Sequence, residues 1–168
     1  MSKILVARSA NLGFIKVVGR GSFQNSGCLK AFYQQLLKEG VNRFAVDLEL
    51  CSYLDSTFLG ILLGLGLKLK GAENGFLHVL NASPRNMELL KNLGLDRVIN
   101  LDFPRVELNG VAENHLEEMP CPVPTRKEAA PTILEAHEKL MEFDPRNVPK
   151  FKDVVEFLRE DLGQSGHP

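Results

Sequence analysis

A chain of 168 residues, 44% of them apolar, suits one compact domain with a real core and at most an appendage. Its net charge of −1 gives no general reason to expect nucleic acid or a charged membrane surface as a partner. The charge is uneven, though: residues 1–105 carry 13 Lys/Arg against 8 Asp/Glu (+5), and residues 106–168 carry 7 against 13 (−6). Such an acidic tail is either solvated or docked on the basic part, in the same chain or in a dimer. Three scattered cysteines, Cys28, Cys51 and Cys121, are odd in number, which argues against a disulfide framework and for a reducing compartment. No basic-then-apolar leader opens the sequence. The longest uncharged apolar run, residues 58–67, falls well short of the ~20 residues of a spanning helix. A soluble, cytoplasmic chain is expected.

In chain order, residues 3–7 and 14–18 read as two strands of a hairpin, turned near Asn11 and Gly13. Cys28, Leu29, Phe32, Tyr33, Leu36 and Leu37 recur at helical spacing, and Gly40 suits the helix end. On that face Cys28 reads as a core residue. Phe44, Val46 and Leu48 mark the next strand. Asp55-Ser56-Thr57 then supplies side-chain oxygens to cap a helix over residues 56–70, apolar nearly all round in its first half. Gly60, Gly64 and Gly66 each cost that helix up to about 1 kcal/mol against alanine, so close packing must offset them. Residues 76–80 form a further strand. Ser83-Pro84 opens a helix with Met87, Leu89, Leu90 and Leu93 on its apolar face, ended by Gly94. Residues 98–101 read as a short last strand. The order β-β-α-β-α-β-α-β implies an α/β fold, a mixed sheet with helices against it.

The proline-bearing stretch that follows reads as a linker, dividing the chain into a domain (1–105), a linker (106–124) and a C-terminal helical extension (125–168). Thr125 and Glu128 fit a capping box. Pro131 argues for a later helix start or a kink. Ile133, Leu134, His137, Leu140 and Met141 share one face. Beyond Asp144-Pro145, the residues Phe151, Val154, Val155, Leu158 and Leu162 form a second stripe. Helices this short are marginal alone, so both must pack on each other, on the domain or on a partner.

VDLELCSYLDSTFLGILLGL (residues 46–65) resembles the signature of STAS domains, the fold of anti-sigma-factor antagonists and sulfate transporters. GFIKVVGR (13–20) and SPRNMELLKNLGLDRVINL (83–101) extend the resemblance. One departure is Phe58, where the family usually has glycine. The resemblance implies a STAS-like mixed sheet and a regulatory protein-binding module, and, with no nucleophile elbow or paired-carboxylate motif in the sequence, no enzyme is expected. It also implies that Ser56, directly after the aspartate, is phosphorylated by a partner anti-sigma kinase and reset by a serine/threonine phosphatase, with Thr57 the runner-up acceptor. Partner contact falls to Asp55, Ser56, Thr57 and Phe58, and to Arg20 in the loop before the first helix. Asp47 either lines the same loop or is an exposed strand carboxylate.

Physically, a phosphate adds about −1.5 to −2 charge at pH 7. A helix N-terminus tolerates it, with dipole terms of ~0.3–1 kcal/mol. At an interface the same group must be desolvated beside Asp55, so it can abolish binding and leave the fold intact. The alternative from the residues alone is that Asp55, Ser56 and Thr57 only cap the helix. Two other functions stand beside the switch. One is a STAS scaffold in a signalling or transporter-associated assembly, dimerising through the C-terminal helices. The other is an apolar cleft for a small ligand or lipid. His78, His115, His137 and His167 share no metal-ligand spacing, and neither metal nor cofactor is expected.

Overall fold

The computed structural model describes residues 1–101 and 115–165. The expected hairpin is formed by antiparallel β1 (Lys3–Ser9) and β2 (Leu12–Gly21). β2 is long because it serves two partners. Its first half pairs in parallel with β3 (Arg43–Asp47), and its end pairs in parallel with β4 (Cys51–Leu54). A bulge between Gly19 and Arg20 makes the change, with Gly19 at φ 83°, where a side chain would be strained. β5 (Phe76–Leu80) lies parallel to β3, and the sheet runs β5-β3-β2-β1-β6.

β6 (Glu117–Glu118) pairs antiparallel with β1, so part of the expected 106–124 linker joins the sheet edge. Residues 106–114 of that linker lie outside the described residues. Nor do residues 98–101 form a full strand. The Val98 and Ile99 amides instead donate back to the Leu95 carbonyl, closing a 3-10 turn over Leu95–Arg97, which leaves one parallel bridge from Asn100 to His78.

α1 (Phe23–Lys38) and α2 (Ser56–Lys70) pack with the sheet in one core that includes Ile15, Val17, Leu29, Tyr33, Phe44, Val46, Leu59, Leu62 and Leu63. Eleven of the fifteen α2 residues are buried, as its all-round apolar character requires. α3 (Pro84–Asn92) begins at the Ser83 cap, with proline at its first position.

α4 (Arg126–Phe143) starts at the Thr125–Glu128 capping box, not after Pro131, which sits inside it. Its Ala136 and Leu140 belong to the same core as the sheet. A Cβ on Gly60 would lie 2.5 Å from the Ala136 carbonyl oxygen, so glycine is what lets α4 cross α2 at backbone contact. α5 (Val148–Ser165) follows a 3-10 turn at Pro145–Asn147. Two buried polar side chains lock this corner. Asn147 donates from Nδ2 to the carbonyls of Leu93 (3.1 Å) and Leu140 (2.9 Å). Asp144 accepts from Arg146 and from Arg97 (2.9 Å). Along the expected α5 stripe Val155 is buried, whereas Val154 faces outward.

The cysteine count misleads. Cys28 on α1 and Cys121, 93 residues later, form a disulfide. An odd total is compatible with one pair plus one buried thiol, and Cys51 is that thiol. Cys28 is therefore half-buried and bonded, not a simple core residue.

Candidate functional site at the start of α2

The pairing of β4 with the end of β2 decides where α2 begins. The Asp55 amide donates to the Gly21 carbonyl at 2.9 Å, which brings the first turn of α2 beside the first turn of α1. The Asp55 carboxylate then serves both helices. Oδ1 accepts from the Phe58 amide at 2.8 Å and Oδ2 from the Phe23 amide at 2.9 Å. One negative group thus satisfies free N–H donors at two positive helix ends. Asp55 is held by the fold, and its charge lies one residue from Ser56.

Ser56 is the first residue of α2 and is half-buried. Its Oγ lies 2.8 Å from Nε2 of His137 on α4. His137 Nδ1 is 2.7 Å from the Ile133 carbonyl. A carbonyl can only accept, so Nδ1 carries the ring proton and Nε2 accepts from the Ser56 hydroxyl. Burial pushes the imidazole below its ordinary range, partly opposed by the Ile133 bond and the Asp55 charge. The ring is held edge-on by Phe151 of α5, centroids 4.9 Å apart. The neutral imidazole is therefore a fixed acceptor placed on the serine.

The other expected site residues fall differently. Thr57 is 4% exposed, and Phe58 is fully buried. The Phe58 ring turns inward against Gly21, where a Cβ would come within 3.0 Å of it. Phe58 thus fills the core instead of presenting a bulky group to a partner. Asp47 is buried, not an exposed strand carboxylate. It accepts from the Glu49 amide (2.9 Å) and Asn81 Nδ2 (3.0 Å), with Lys16 at 3.8 Å. Those bonds brace the end of β3 rather than the Asp55–Ser56 turn. Arg20 is exposed, its guanidinium 5.2 Å from the centroid of Tyr53 on β4, and Arg85 stacks on the same ring at 5.0 Å.

Sequence reasoning missed the role of His137, which lies 81 residues from Ser56. The available signal was a lone polar ring within the apolar face of α4. Between α4, α5 and the first turns of α1 and α2 runs a cavity of about 750 Å³, lined by Phe23, Thr57, Lys127, Ile133, Phe157 and Leu158 among others. Among the described residues no group of three or more His, Cys, Asp or Glu could hold a metal ion. Nor is any helix among them long and apolar enough to cross a membrane.

The family model described as "Mlab, STAS domain" matches residues 4–102. Nothing among curated proteins matches the chain. Solved structures do. The anti-sigma factor antagonist SpoIIAA in its unphosphorylated form is 20% identical, with a TM-score of 0.52 over 62% of this chain and 92% of that one. An anti-sigma factor antagonist from Mycobacterium paratuberculosis is 21% identical, with a TM-score of 0.55 over 64% and 90%. The Bacillus cell fate determinant SpoIIAA in the phosphorylated form is 18% identical, with a TM-score of 0.53 over 65% and 99%. At these identities the likeness is one of fold. Nearly the whole of each neighbour is matched by less than two thirds of this chain, and the family match stops before α4 begins.

Proposed function

Since this chain belongs to the STAS domain family, we propose that it is a regulatory protein-binding module of the anti-sigma-factor-antagonist kind, switched by phosphorylation of Ser56. Unmodified, it binds an ATP-using anti-sigma serine kinase and frees a sigma factor. Phosphorylation releases it, and a serine/threonine phosphatase resets it. One of the similar folds is that of a protein in phosphorylated form, which supports the reading.

The observation that carries it is the position of the Ser56 hydroxyl. It stands at the first position of a buried helix, only half-buried, while the neighbouring Asp55, Thr57 and Phe58 are tied into the fold. A phosphate there meets the positive helix end, so the host fold survives. A docked neighbour meets two added charges beside Asp55, and binding does not survive. Thr57, being buried, is the weaker acceptor. The test is capture of the partner by immobilised variants. Ser56→Ala is expected to retain the partner and Ser56→Asp to lose it; equal capture by both refutes the switch.

A scaffold reading has its own observation. α5 exposes Phe157 (67%) and Val154 (45%), a face suited to a second copy or an assembly partner. Light scattering of wild type against Phe157→Ser tests it, since a monomer in both cases removes this support.

A further inference from the structure

We propose that α4 is an intramolecular cap on the switch serine, and that the Cys28–Cys121 disulfide holds the cap in place until it is reduced. The inference rests on Ser56 being the switch, and it concerns how that site is regulated.

Three separate contacts, two to α2 and one to α1, seat α4 over the start of α2. His137 takes the Ser56 hydroxyl at 2.8 Å. Ala136 meets Gly60 one turn further along, at a distance that excludes any side chain. Glu135 pairs with Lys30 of α1. The three consecutive residues Glu135, Ala136 and His137 thus occupy the surface that includes Ser56. A kinase must bring a phosphoryl group in line with Ser56 Oγ, and a phosphate must then occupy the space beside it. The imidazole already sits there at hydrogen-bond distance, so α4 has to lift before Ser56 can be modified. A partner that reads the unmodified serine competes with the same helix.

The disulfide controls that competition. Cys121 lies five residues before α4, and its sulfur is bonded to Cys28 on the helix that also carries Lys30. The covalent link keeps the start of α4 beside α1, which raises its effective concentration at the site. A dithiol reductant opens the link by exchange. Its first thiolate attacks one sulfur and its second resolves the mixed disulfide. The protein gains two electrons and two protons as two thiols, and the reductant leaves as its own cyclic disulfide. The start of α4 is then tied to the sheet only through residues 119–125, which lead back to β6 on β1, and the cap opens more often.

Hydrogen–deuterium exchange on the full chain tests this without any knowledge of the kinase. On treatment with dithiothreitol, amides of 129–143 are expected to exchange faster by on the order of tenfold, while β2 and β3 keep their protection. Gly60→Ala, with the disulfide intact, is expected to raise exchange over the same residues, because its methyl drives into the Ala136 carbonyl. Unchanged α4 exchange after full reduction overturns the proposal. So does loss of protection in β2 and β3 in step with α4, since the disulfide would then stabilise the whole fold and gate nothing. If α4 opens on reduction and phosphate never reaches Ser56, the redox-held cap stands and the phosphorylation reading fails.

Discussion

α4 and α5 are of equal length, eighteen residues each, and adjacent in an acidic stretch, yet they are used in opposite ways. α4 buries small and polar residues, Ala129, Ala130, Ala136 and His137, with only Leu140 as a large apolar anchor. α5 buries Val155 and leaves Phe157 and Val154 in solvent. Close backbone approach at Gly60 and Ala136, together with the one buried Leu140 side chain, joins α4 to the domain, and the close approach needs glycine on the facing helix. A bulky apolar stripe such as that of α5 reads more strongly in sequence and contributes less to burial. Part of the charge asymmetry also resolves in cis, through Glu135 with Lys30 and Asp144 with Arg97.

The largest expected difference between the two helices comes from truncating their apolar anchors. Leu140→Ala removes a fully buried side chain and is expected to cost about 2–5 kcal/mol in denaturant-midpoint measurements. If it behaves like a surface change, α4 is not part of the core.

The corner between the helices should fail in acid. Hydrogen bonds from the Arg146 side chain and backbone, with the Arg146 and Arg97 charges, hold the Asp144 carboxyl down at about 2. A depressed folded value means that this stability is complete above the ordinary carboxylate range, near pH 4, and is lost as pH falls through about 2. Asp144→Asn is expected to lower the midpoint at pH 7 and to flatten the acid limb of the stability curve. An unaltered acid limb would place the acid-sensitive groups elsewhere.

The contact with the switch serine should titrate nearer neutrality. Burial favours neutral His137 in the folded state, whereas the unfolded chain takes its proton at about pH 6.5. The unfolded state therefore binds more protons in that window, and α4 docking is complete above about pH 6.5 and weakens as pH falls below it. Asp55, the facing carboxylate, moderates the effect. Exchange of α4 amides, corrected for intrinsic rates, is expected to be faster at pH 5.5 than at 7.5. His137→Ala should remove that dependence and cost on the order of 1 kcal/mol for the lost hydrogen bond. A pH dependence that survives the substitution assigns the titration to another group.

The smallest effect is expected on α5. Phe157→Ser should change stability by no more than about 0.5 kcal/mol, because the ring is already in water. A larger loss would show that the monomer or a second copy covers that face.

Local pattern made the hairpin, the helices α1 to α3 and the caps at Asp55, Ser83 and Thr125 readable from sequence. Each depends on neighbours within a turn or a strand. β4 and β6 were not readable, because four and two residues carry no period and exist only through pairing with β2 and β1. The expected strand at 98–101 shrank because the Val98 and Ile99 amides turn back to close the preceding 3-10 turn on Leu95. At the site, the Asp-Ser-Thr turn was legible. Its second bond to α1, the inward turn of Phe58 and the bracing role of Asp47 were not. His137 and the Cys28–Cys121 link depend on contacts across 81 and 93 residues, which no local spacing encodes.

The most direct test is the intact mass of the full chain isolated from its native cell, followed by localisation of any added phosphate. One phosphate on Ser56, absent from Ser56→Ala isolated alongside, is the expected result. Phosphate confined to another residue, or none under any condition in which the partner kinase is active, would contradict it.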